Sequence, residues 1–388
     1  MSIVAPRTTT GTDVFARLGI APIINASGTV TVLGGTVMAP EILETMRVAS
    51  RTYVDLPEAL RRAGEYLAER IGVPGAFISS GAAGGIASSV AAVLSGGVPE
   101  KAWALPDTGG RPNEIVVLAS PPPNYIHQAA AMVGGKIVTV GAHGVATVDD
   151  FDAAIGPHTA AVLYVYPWVE ATWAGAGSRA ATLPAVAAVA HAKGVPVIVD
   201  AASELPPREK LTRFHREGGD LVVFSGGKGI FGPQSTGIVV GRADLTKAGW
   251  LNTAPHSSVS RGMKIGKEEV AGFVRAVEIF LERDEALVFA EWERVANVLA
   301  RRLEGIPGIA VRVLIGEPRG RPPEEARCYV EIIDPVLGTG QEIFHRLQAG
   351  TPSLIVRVLD EGFFLSPMTL QAGEETLVGD LVAKALTR

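Results

Sequence analysis

The amino-acid sequence predicts an α/β fold, with a mostly parallel central sheet covered by helices and followed by a smaller α+β domain. Between residues 76 and 240, short apolar runs alternate with longer Ala-rich segments, the strand–helix alternation typical of α/β proteins. The apolar runs are continuous stretches of Val, Ile and Leu, as in strands that are buried on both faces. The chain has 388 residues, more than one hydrophobic core usually organises, so we expect two domains.

Seven strands are predicted in the larger domain. They are residues 76–79, 115–119, 136–140, 160–166, 196–200, 221–224 and 237–240. The segments 82–94 and 183–193 are the clearest helices between them, and Pro184 suits the first turn of the second helix.

After Lys267 the sequence pattern changes. Residues 267–303 are predicted to form one or two long amphipathic helices with paired charges on the exposed face. The later elements are short strands near 309–314, 328–333, 354–359 and 362–365, helices that begin at Gly340 and Glu374, and an exposed Gly/Pro/Arg-rich loop at 316–323. We therefore expect an N-terminal arm (1–51) that contributes to the small domain, a large domain (52–262) and a small C-terminal domain (263–388).

Composition argues against several classes of protein. The formal net charge is −5, from 35 Lys and Arg against 40 Asp and Glu, whereas a nucleic-acid-binding surface needs clustered positive charge. Cys328 is the only cysteine, so an intrachain disulfide and a cysteine metal cluster are impossible, and we expect no metal and a cytoplasmic location. Residues 1–11 lack the apolar core of a secretory signal. Residues 82–94, the longest apolar stretch, fall short of the ~20 apolar residues of a membrane span, so we expect no membrane association.

The strongest candidate site follows two of the predicted strands. One strand ends at Asp200, and the next leads through Ser225 and two glycines to Lys228. Ligands of open α/β sheets bind outside the carboxyl ends of the strands, so both groups are expected to face one crevice. A lysine amine forms an imine with the aldehyde of pyridoxal phosphate, and a carboxylate keeps the pyridine nitrogen protonated. The pair predicts a pyridoxal-phosphate site, although alone an Asp at a strand end is more often a helix cap and a Lys in a Gly loop is more often solvated.

The segment 79–83, Ser-Ser-Gly-Ala-Ala, joins a predicted strand to an Ala-rich helix. Small residues there let backbone amides approach a phosphate, and a helix N-terminus adds favourable partial charge. We expect Ser80, Gly81 and Ala82 to contact the cofactor phosphate, with Ser225 adding a hydroxyl. Taken alone, such a turn is more often only a tight strand–helix connection.

His127 lies near the start of a predicted helix that follows the strand at 115–119. An imidazole there would stack on the cofactor ring or move protons, since its ordinary pKa is close to neutral. A partly exposed helix histidine without a role is the equally open alternative.

Two groups of basic residues are candidates for substrate binding. Arg357 stands in the apolar run Ser-Leu-Ile-Val-Arg-Val, where burial requires a partner, either a substrate carboxylate or an internal Asp or Glu. Arg261, Lys264 and Lys267 form a basic cluster in an otherwise acidic chain, suited to a phosphate or carboxylate. A solvated helix start is the alternative for the cluster, but positive charge there opposes the helix dipole.

At these positions the sequence resembles a known family. The matching segments are Ile-Asn-Ala-Ser-Gly-Thr at 24–29, Ser-Ser-Gly-Ala-Ala at 79–83, Val-Asp-Ala-Ala-Ser at 199–203 and Val-Phe-Ser-Gly-Gly-Lys-Gly-Ile-Phe-Gly-Pro-Gln at 223–234. They are similar to the selenocysteine-synthase-like branch of fold-type I pyridoxal-phosphate enzymes. That branch includes the bacterial seryl-tRNA selenium transferases and the D-glucosaminate-6-phosphate ammonia-lyases.

The resemblance covers nearly the whole chain and implies roles for the candidate residues. Lys228 would form the Schiff base with the cofactor, Asp200 would pair with the pyridinium, and 80–82 would form part of the phosphate cup. Ala202 and Ser225 are further expected cofactor contacts, and Arg357 becomes the expected carboxylate ligand. The chain shows neither the additional N-terminal region nor the basic surface of the selenium transferases, so we expect a small amino substrate rather than tRNA.

We therefore expect a lyase of the ammonia-lyase type that acts on an amino acid or amino-sugar acid. Lys228 would remove the α-proton, and loss of a β-substituent would lead to a keto acid and ammonia. A racemase or epimerase is the alternative, with His127 as its second base; a selenium transferase or a non-catalytic cofactor-binding protein is less favoured. Enzymes of this fold usually build the site between subunits, so we expect a homodimer or higher homo-oligomer, with 234–236, Arg261 and Lys264 as candidates to cross the interface.

Overall fold

The computed structural model of the protein describes residues 14–119, 124–141, 145–167, 179–315, 325–359 and 361–387. The loop predicted at 316–323 lies outside these ranges. No helix in the described ranges is both long enough and apolar enough to cross a membrane.

The strands are β1 Ile23–Ala26, β2 Gly75–Ser80, β3 Glu114–Leu118, β4 Lys136–Val140, β5 Thr159–Val165, β6 Val197–Asp200, β7 Leu221–Ser225, β8 Thr236–Gly241, β9 Ile309–Ile315, β10 Ala326–Ile332, β11 Ser353–Leu359 and β12 Gly362–Leu365. The helices are α1 Val14–Arg17, α2 Pro40–Ser50, α3 Leu56–Ile71, α4 Gly81–Ser95, α5 Pro99–Ala104, α6 Tyr125–Ala131, α7 Val148–Ala154, α8 Leu183–Ala192, α9 Lys210–Arg216, α10 Ala243–Leu251, α11 Lys267–Glu282, α12 Glu285–Leu303, α13 Gly340–Gln348 and α14 Glu374–Leu386.

The larger sheet has seven strands in the order β2-β8-β7-β6-β5-β3-β4. Strand β8 runs antiparallel to both of its neighbours, and the other neighbouring strands are parallel. The predicted mostly parallel α/β sheet is confirmed. Every residue of β6 and of β8 is buried, which agrees with their continuous apolar sequences.

Helix α4 packs against this sheet and is buried along most of its length. Its first residues are small because the helix lies very close to the strands. A Cβ atom at Gly85 would lie only 2.7 Å from Cγ1 of Val223 and 2.9 Å from Oγ of Ser79. The glycine therefore allows the start of α4 to lie directly against β7 and β2.

The second sheet has five strands in the order β1-β11-β12-β10-β9. Strand β1, which the sequence patterns did not predict, pairs in parallel with β11, and the remaining pairs are antiparallel. Ile24, Leu299, Leu354 and Phe363 belong to the apolar core of this unit.

The described residues divide into two compact units, one within Pro40–Glu282 and a second one formed by those before Pro40 and after Glu282. The boundaries predicted from sequence, after residues 51 and 262, differ because α2 and α11 pack together. A Cβ at Gly272 in α11 would lie 2.5 Å from Cγ of Met46 in α2. Nζ of Lys267 donates to the carbonyl of Ser50 at 3.1 Å. Both helices therefore belong to the larger unit.

Candidate active site

The carboxyl edge of the larger sheet brings together residues from three strand ends. Ser80 at the end of β2 lies opposite Thr236, the first residue of β8. Ser225 at the end of β7 lies opposite Gly237. Asp200 is the last residue of β6, the strand that pairs in parallel with β7. The sequence prediction that these side chains share one edge agrees with the register of the strands.

The loop that follows β7 holds Lys228 in a network of backbone hydrogen bonds. The N–H of Gly226 donates to the carbonyl of Thr236 at 2.8 Å, and the N–H of Gly232 donates back to the carbonyl of Gly226 at 2.8 Å. The carbonyl of Lys228 accepts the N–H of Phe231 at 2.9 Å. Phe231 has a φ of 62°, a left-handed conformation that a bulky residue rarely adopts. The backbone beside the lysine is thus fixed, with local strain at Phe231.

The two glycines before Lys228 are required by close packing. A Cβ at Gly226 would lie 2.2 Å from Oγ1 of Thr236, and a Cβ at Gly227 would lie 2.5 Å from Cα of Gln234. No larger residue fits either position without moving the backbone. The Gly-Gly-Lys sequence therefore sets the path by which the lysine leaves the sheet.

Asp200 is buried, with 3% of its surface exposed. Its Oδ1 accepts the N–H of Ala202 at 3.0 Å. Burial raises the pKa of the Asp200 carboxyl, whereas the Ala202 N–H and the positive charge of Lys228 lower it. The carboxyl and the amine therefore lie within electrostatic reach of each other.

The start of α4 lies beside these groups. Gly81 has a φ of 65°, and the side chain of Ser80 at the helix N-cap makes no capping hydrogen bond to the described residues. The hydroxyl of Ser79 donates to the carbonyl of Gly81 at 2.9 Å. Gly237 keeps this turn close to β8, because a Cβ there would lie 2.8 Å from the carbonyl carbon of Gly81. The first-turn N–H groups and the positive end of the helix dipole suit a phosphate.

Helix α6 carries two ring side chains near its start, Tyr125 and the predicted His127. Asn124 caps the helix by accepting the N–H of Ile126 at 2.9 Å. His127 is half-buried, and burial lowers its pKa, which favours the neutral imidazole at physiological pH. The pKa of Tyr125 is raised by loss of hydration and by the negative charge of Asp200. Tyr125 therefore lies near the buried carboxyl; sequence reasoning missed it, although it stands two residues before the predicted His127.

Arg357 lies in the smaller unit, on β11, and its surroundings correct one expectation. The strand alternates, with Leu354 and Val356 buried and Arg357 exposed. The argument that Arg357 must be paired because it is buried was therefore wrong. In the described part of the chain Arg357 has no ion pair, so the structure supplies no internal carboxylate partner there.

The basic cluster before α11 separates into two parts. Lys267 has local partners, the carbonyl of Ser50 at 3.1 Å and the carboxylate of Glu268 at 3.3 Å. Arg261 and Lys264 are exposed, and neither forms an ion pair with any described residue. Arg261 and Lys264 therefore remain candidates for binding an anion.

These residues fit pyridoxal phosphate. A buried carboxylate suits a protonated pyridine nitrogen, because the pyridinium supplies the opposite charge that offsets the cost of burial, and a lysine in its electrostatic reach suits the aldehyde carbon. The small-residue start of α4 suits the phosphate. The described residues contain no group of three or more His, Cys, Asp or Glu side chains that would hold a metal ion.

Comparisons with known proteins identify the family. The family model described as aminotransferase class-V matches residues 123–254. A 5'-C-glycyluridine monooxygenase-decarboxylase from Streptomyces sp is 32% identical over 90% of this chain and 86% of its own. The D-glucosaminate-6-phosphate ammonia lyase of Salmonella typhimurium (strain 14028s / SGSC 2262) is 30% identical over 94% of this chain and 96% of its own. The protein belongs to the selenocysteine-synthase-like branch of fold-type I pyridoxal-phosphate enzymes.

A solved structure supports the same family assignment. A structure of D-glucosaminate-6-phosphate ammonia-lyase matches with a TM-score of 0.78 and 27% identity, and covers 98% of this chain and 100% of its own. The predicted fold type, the enzyme class and the cofactor, pyridoxal 5'-phosphate, are confirmed. These two relatives have different activities, a monooxygenase-decarboxylase and an ammonia lyase, so the family by itself does not fix the reaction.

Proposed function

We propose that this enzyme is a pyridoxal-phosphate-dependent ammonia-lyase that acts on an amino acid or amino-sugar acid. The juxtaposition of buried Asp200 with Lys228 is the observation that carries the proposal, because it provides the electron sink and the base that α-proton removal needs. Similarity to an ammonia-lyase over nearly the full length of both chains supports the elimination outcome.

In this proposal each residue of the sheet edge has one role toward the cofactor. Lys228 holds the aldehyde carbon covalently, and Asp200 hydrogen-bonds the pyridine nitrogen. The backbone N–H groups of 80–82 and the hydroxyl of Ser225 bind the phosphate. Ala202, small and buried, packs beside the ring.

The bound cofactor withdraws electrons from the carbon that carries the substrate amine and so stabilises negative charge there. Once the substrate amine has replaced Lys228 on the aldehyde carbon, the freed neutral amine of Lys228 would take the α-proton and keep it on Nζ for return in a later step. When the β-substituent is hydroxide, it leaves as water, and hydrolysis of the released imine returns one water. The net change converts the amino acid to a 2-keto acid and ammonia. Asp200, held by the Ala202 N–H, keeps its carboxyl at the ring nitrogen throughout.

His127 is proposed to assist proton movement, because its lowered pKa favours a neutral imidazole able to accept a proton. It would help the β-hydroxide leave as water once it carries that proton. A racemase would use His127 instead to return a proton to the opposite face of the α-carbon. The comparisons do not favour that alternative, since neither of the two curated relatives described above is named as a racemase.

Product analysis tests the function. Incubation of the cofactor-loaded enzyme with a panel of 2-amino-3-hydroxy acids and amino-sugar acids is expected to release ammonia and 2-keto acid in equal amounts. Oxygen consumption and carbon dioxide should stay at background. Oxygen uptake with decarboxylation, or inversion of the α-carbon without ammonia, would each contradict the proposed reaction.

Arg357 is proposed to bind the substrate carboxylate, because it is exposed on β11 and has no ion pair within the described ranges. Arg357→Lys is expected to raise KM about tenfold, since lysine keeps the charge but loses the planar pair of donors. Arg357→Ala should raise KM further, with the visible absorbance of the cofactor unchanged in both variants. If Arg357 only stabilises the fold, Tm will fall in both variants and KM will stay within twofold.

Assembly and location stay predictions from the sequence. We expect a homodimer or higher homo-oligomer in which 234–236 and the segment carrying Arg261 and Lys264 approach a neighbouring site. A cytoplasmic location agrees with the single cysteine, Cys328, which is buried and unsuited to a disulfide.

A further inference from the structure

The segment that joins β6 to α9 packs against the loop that carries Lys228. At its start, the N–H of Ala201 donates to the carbonyl of Val223 in β7 at 3.0 Å. Further along, Leu205 lies against the residue that follows the lysine, since a Cβ at Gly229 would lie 2.5 Å from the carbonyl carbon of Leu205. The segment therefore touches the chain both before and after Lys228.

A buried ion pair spans the same segment. Nζ of Lys210, the first residue of α9, lies 3.5 Å from Oε2 of Glu204, and each side chain is 1% exposed. Glu204 directly precedes Leu205 in the chain. The helix end of the pair is fixed, because Phe214 in α9 packs against Phe224 in β7 with ring centroids 6.2 Å apart. The ion pair therefore ties Leu205 to a helix that rests on the sheet.

The energetic cost of such a pair argues against a purely stabilising role. Two charges that leave water lose their hydration, and replacing a buried pair by apolar side chains of similar size is often neutral or favourable for stability. A buried pair can instead provide one preferred geometry for the backbone that carries it. That geometry matters beside a reactive amine, since a displacement of about 1 Å can cost about a hundredfold in rate.

We propose that Glu204 and Lys210 are positioning residues for Lys228. The pair fixes Leu205 against the backbone that follows Lys228, and so sets the direction in which the amine leaves the sheet edge. Neither side chain touches the substrate or the cofactor in this proposal. The inference rests on the proposed role of Lys228 and deepens it, because it names the residues on which the placement of that amine depends.

A double variant separates positioning from stability. Glu204→Leu/Lys210→Met replaces the pair by apolar side chains of similar size, so its Tm is expected to lie within a few degrees of the wild-type value. Each single substitution leaves a buried charge without this partner and should lower Tm much further. The double variant therefore restores stability and leaves Leu205 without the contact that fixes it.

Two further measurements on the double variant report the position of Lys228. The nitrogen of Lys228 lies within electrostatic reach of Asp200, whose carboxylate favours the protonated form of that nitrogen. Loss of the pair should lower the pH at which the visible absorbance band of the bound cofactor titrates, by about 0.5 pH unit or more. In the ammonia-release assay kcat should fall about tenfold, whereas KM should stay within about twofold because the substrate-binding residues are unchanged.

Asp220→Asn provides the matched control, because it removes another buried carboxylate of the larger unit, one that pairs with Arg242 at 3.1 Å. It should lower Tm and leave the midpoint of the absorbance titration unchanged. Glu204→Asp keeps both charges and shortens the pair by one methylene, so it should fold even if the double variant does not. Its midpoint should shift in the same direction as that of the double variant.

A wild-type midpoint in either folded variant of the pair would overturn the inference, since the pair would then serve stability alone. The titration requires no substrate. A wild-type enzyme that holds the cofactor on Lys228 but releases no ammonia would therefore refute the proposed reaction and leave the positioning role to be decided by the absorbance measurements.

Discussion

Replacing Lys228 with alanine is expected to abolish turnover and leave the purified protein without covalently held cofactor. The backbone of the loop should survive, because its hydrogen bonds at Gly226, Lys228 and Phe231 are made by main-chain atoms. Loss of the proton-transfer group alone costs about 10² to 10⁴ in rate, and loss of covalent attachment adds to it. We expect kcat to fall about a thousandfold or more, with the visible absorbance band of the cofactor lost.

Borohydride reduction of the wild-type enzyme, followed by peptide mass spectrometry, locates the attachment. The pyridoxyl adduct is expected on the peptide that contains Lys228. Lys210 is the most instructive competitor, because it is also buried, 3.5 Å from the carboxylate of Glu204. An adduct on Lys210, or on Lys193, would refute the assignment. Lys247→Ala, at an exposed lysine, should retain full activity and the absorbance band.

The strands of the larger sheet, and the residues at their carboxyl ends, could be predicted from two simple rules. Continuous apolar runs mark strands buried on both faces, and the seven predicted strands agree with the observed ends to within one residue. Parallel strands place their carboxyl ends at one edge, so Asp200 and Lys228 were expected to meet although they are distant in the chain. Gly226 and Gly227 also indicated that the chain before Lys228 packs closely, since only glycine fits where another part of the backbone comes so near.

Features that depend on packing between distant segments were not predictable. The boundaries of the larger unit follow from contacts such as Gly272 against Met46, which no local pattern reveals. Strand β1 is short, and its four residues give too weak a periodic signal to be distinguished from a loop. The influence of Asp200 on Tyr125 is an effect across space, between a strand end and a helix start.

Arg357 shows how a local pattern misled. The run Ser-Leu-Ile-Val-Arg-Val is apolar at both odd and even positions, so it resembles a strand buried on both faces. In the structure only the face with Leu354 and Val356 is buried, and Arg357 points away from that core. Its exposure removes the cost of burial and leaves the guanidinium available for a ligand.

Asp200→Asn is expected to lower kcat about a hundredfold or more while the protein keeps its fold and most of its cofactor. An amide can accept the N–H of Ala202 as the carboxylate does, so the end of β6 should keep its geometry. It cannot hold a pyridine nitrogen in the protonated form, because it carries no negative charge. Charge-assisted hydrogen bonds are worth about 1.5–3 kcal/mol, and the lost electron sink adds to the cost of the chemical step.

Asp200→Asn should not lower the thermal stability of the cofactor-free protein, although it lowers the activity of the enzyme. Burial raises the pKa of Asp200 in the folded chain, so between the unfolded and folded pKa values the folded state binds more protons than the unfolded state. The stability of the cofactor-free protein therefore decreases as the pH rises through that range. Asparagine has no charge to bury, so Tm of the cofactor-free variant at neutral pH should equal or exceed that of the wild type.

Asp220 provides a matched control at the opposite end of the parallel strands of the same sheet, their amino end. It too is buried, and its carboxylate accepts the N–H of Val197 at 2.8 Å and pairs with Arg242 at 3.1 Å. Asp220→Asn should lower Tm, because it weakens those contacts, and leave kcat of the folded enzyme unchanged. Activity per folded enzyme and Tm, measured on both variants, separate the two roles. If Asp200→Asn loses Tm and keeps near-normal kcat, Asp200 stabilises the end of β6 and does not serve the cofactor.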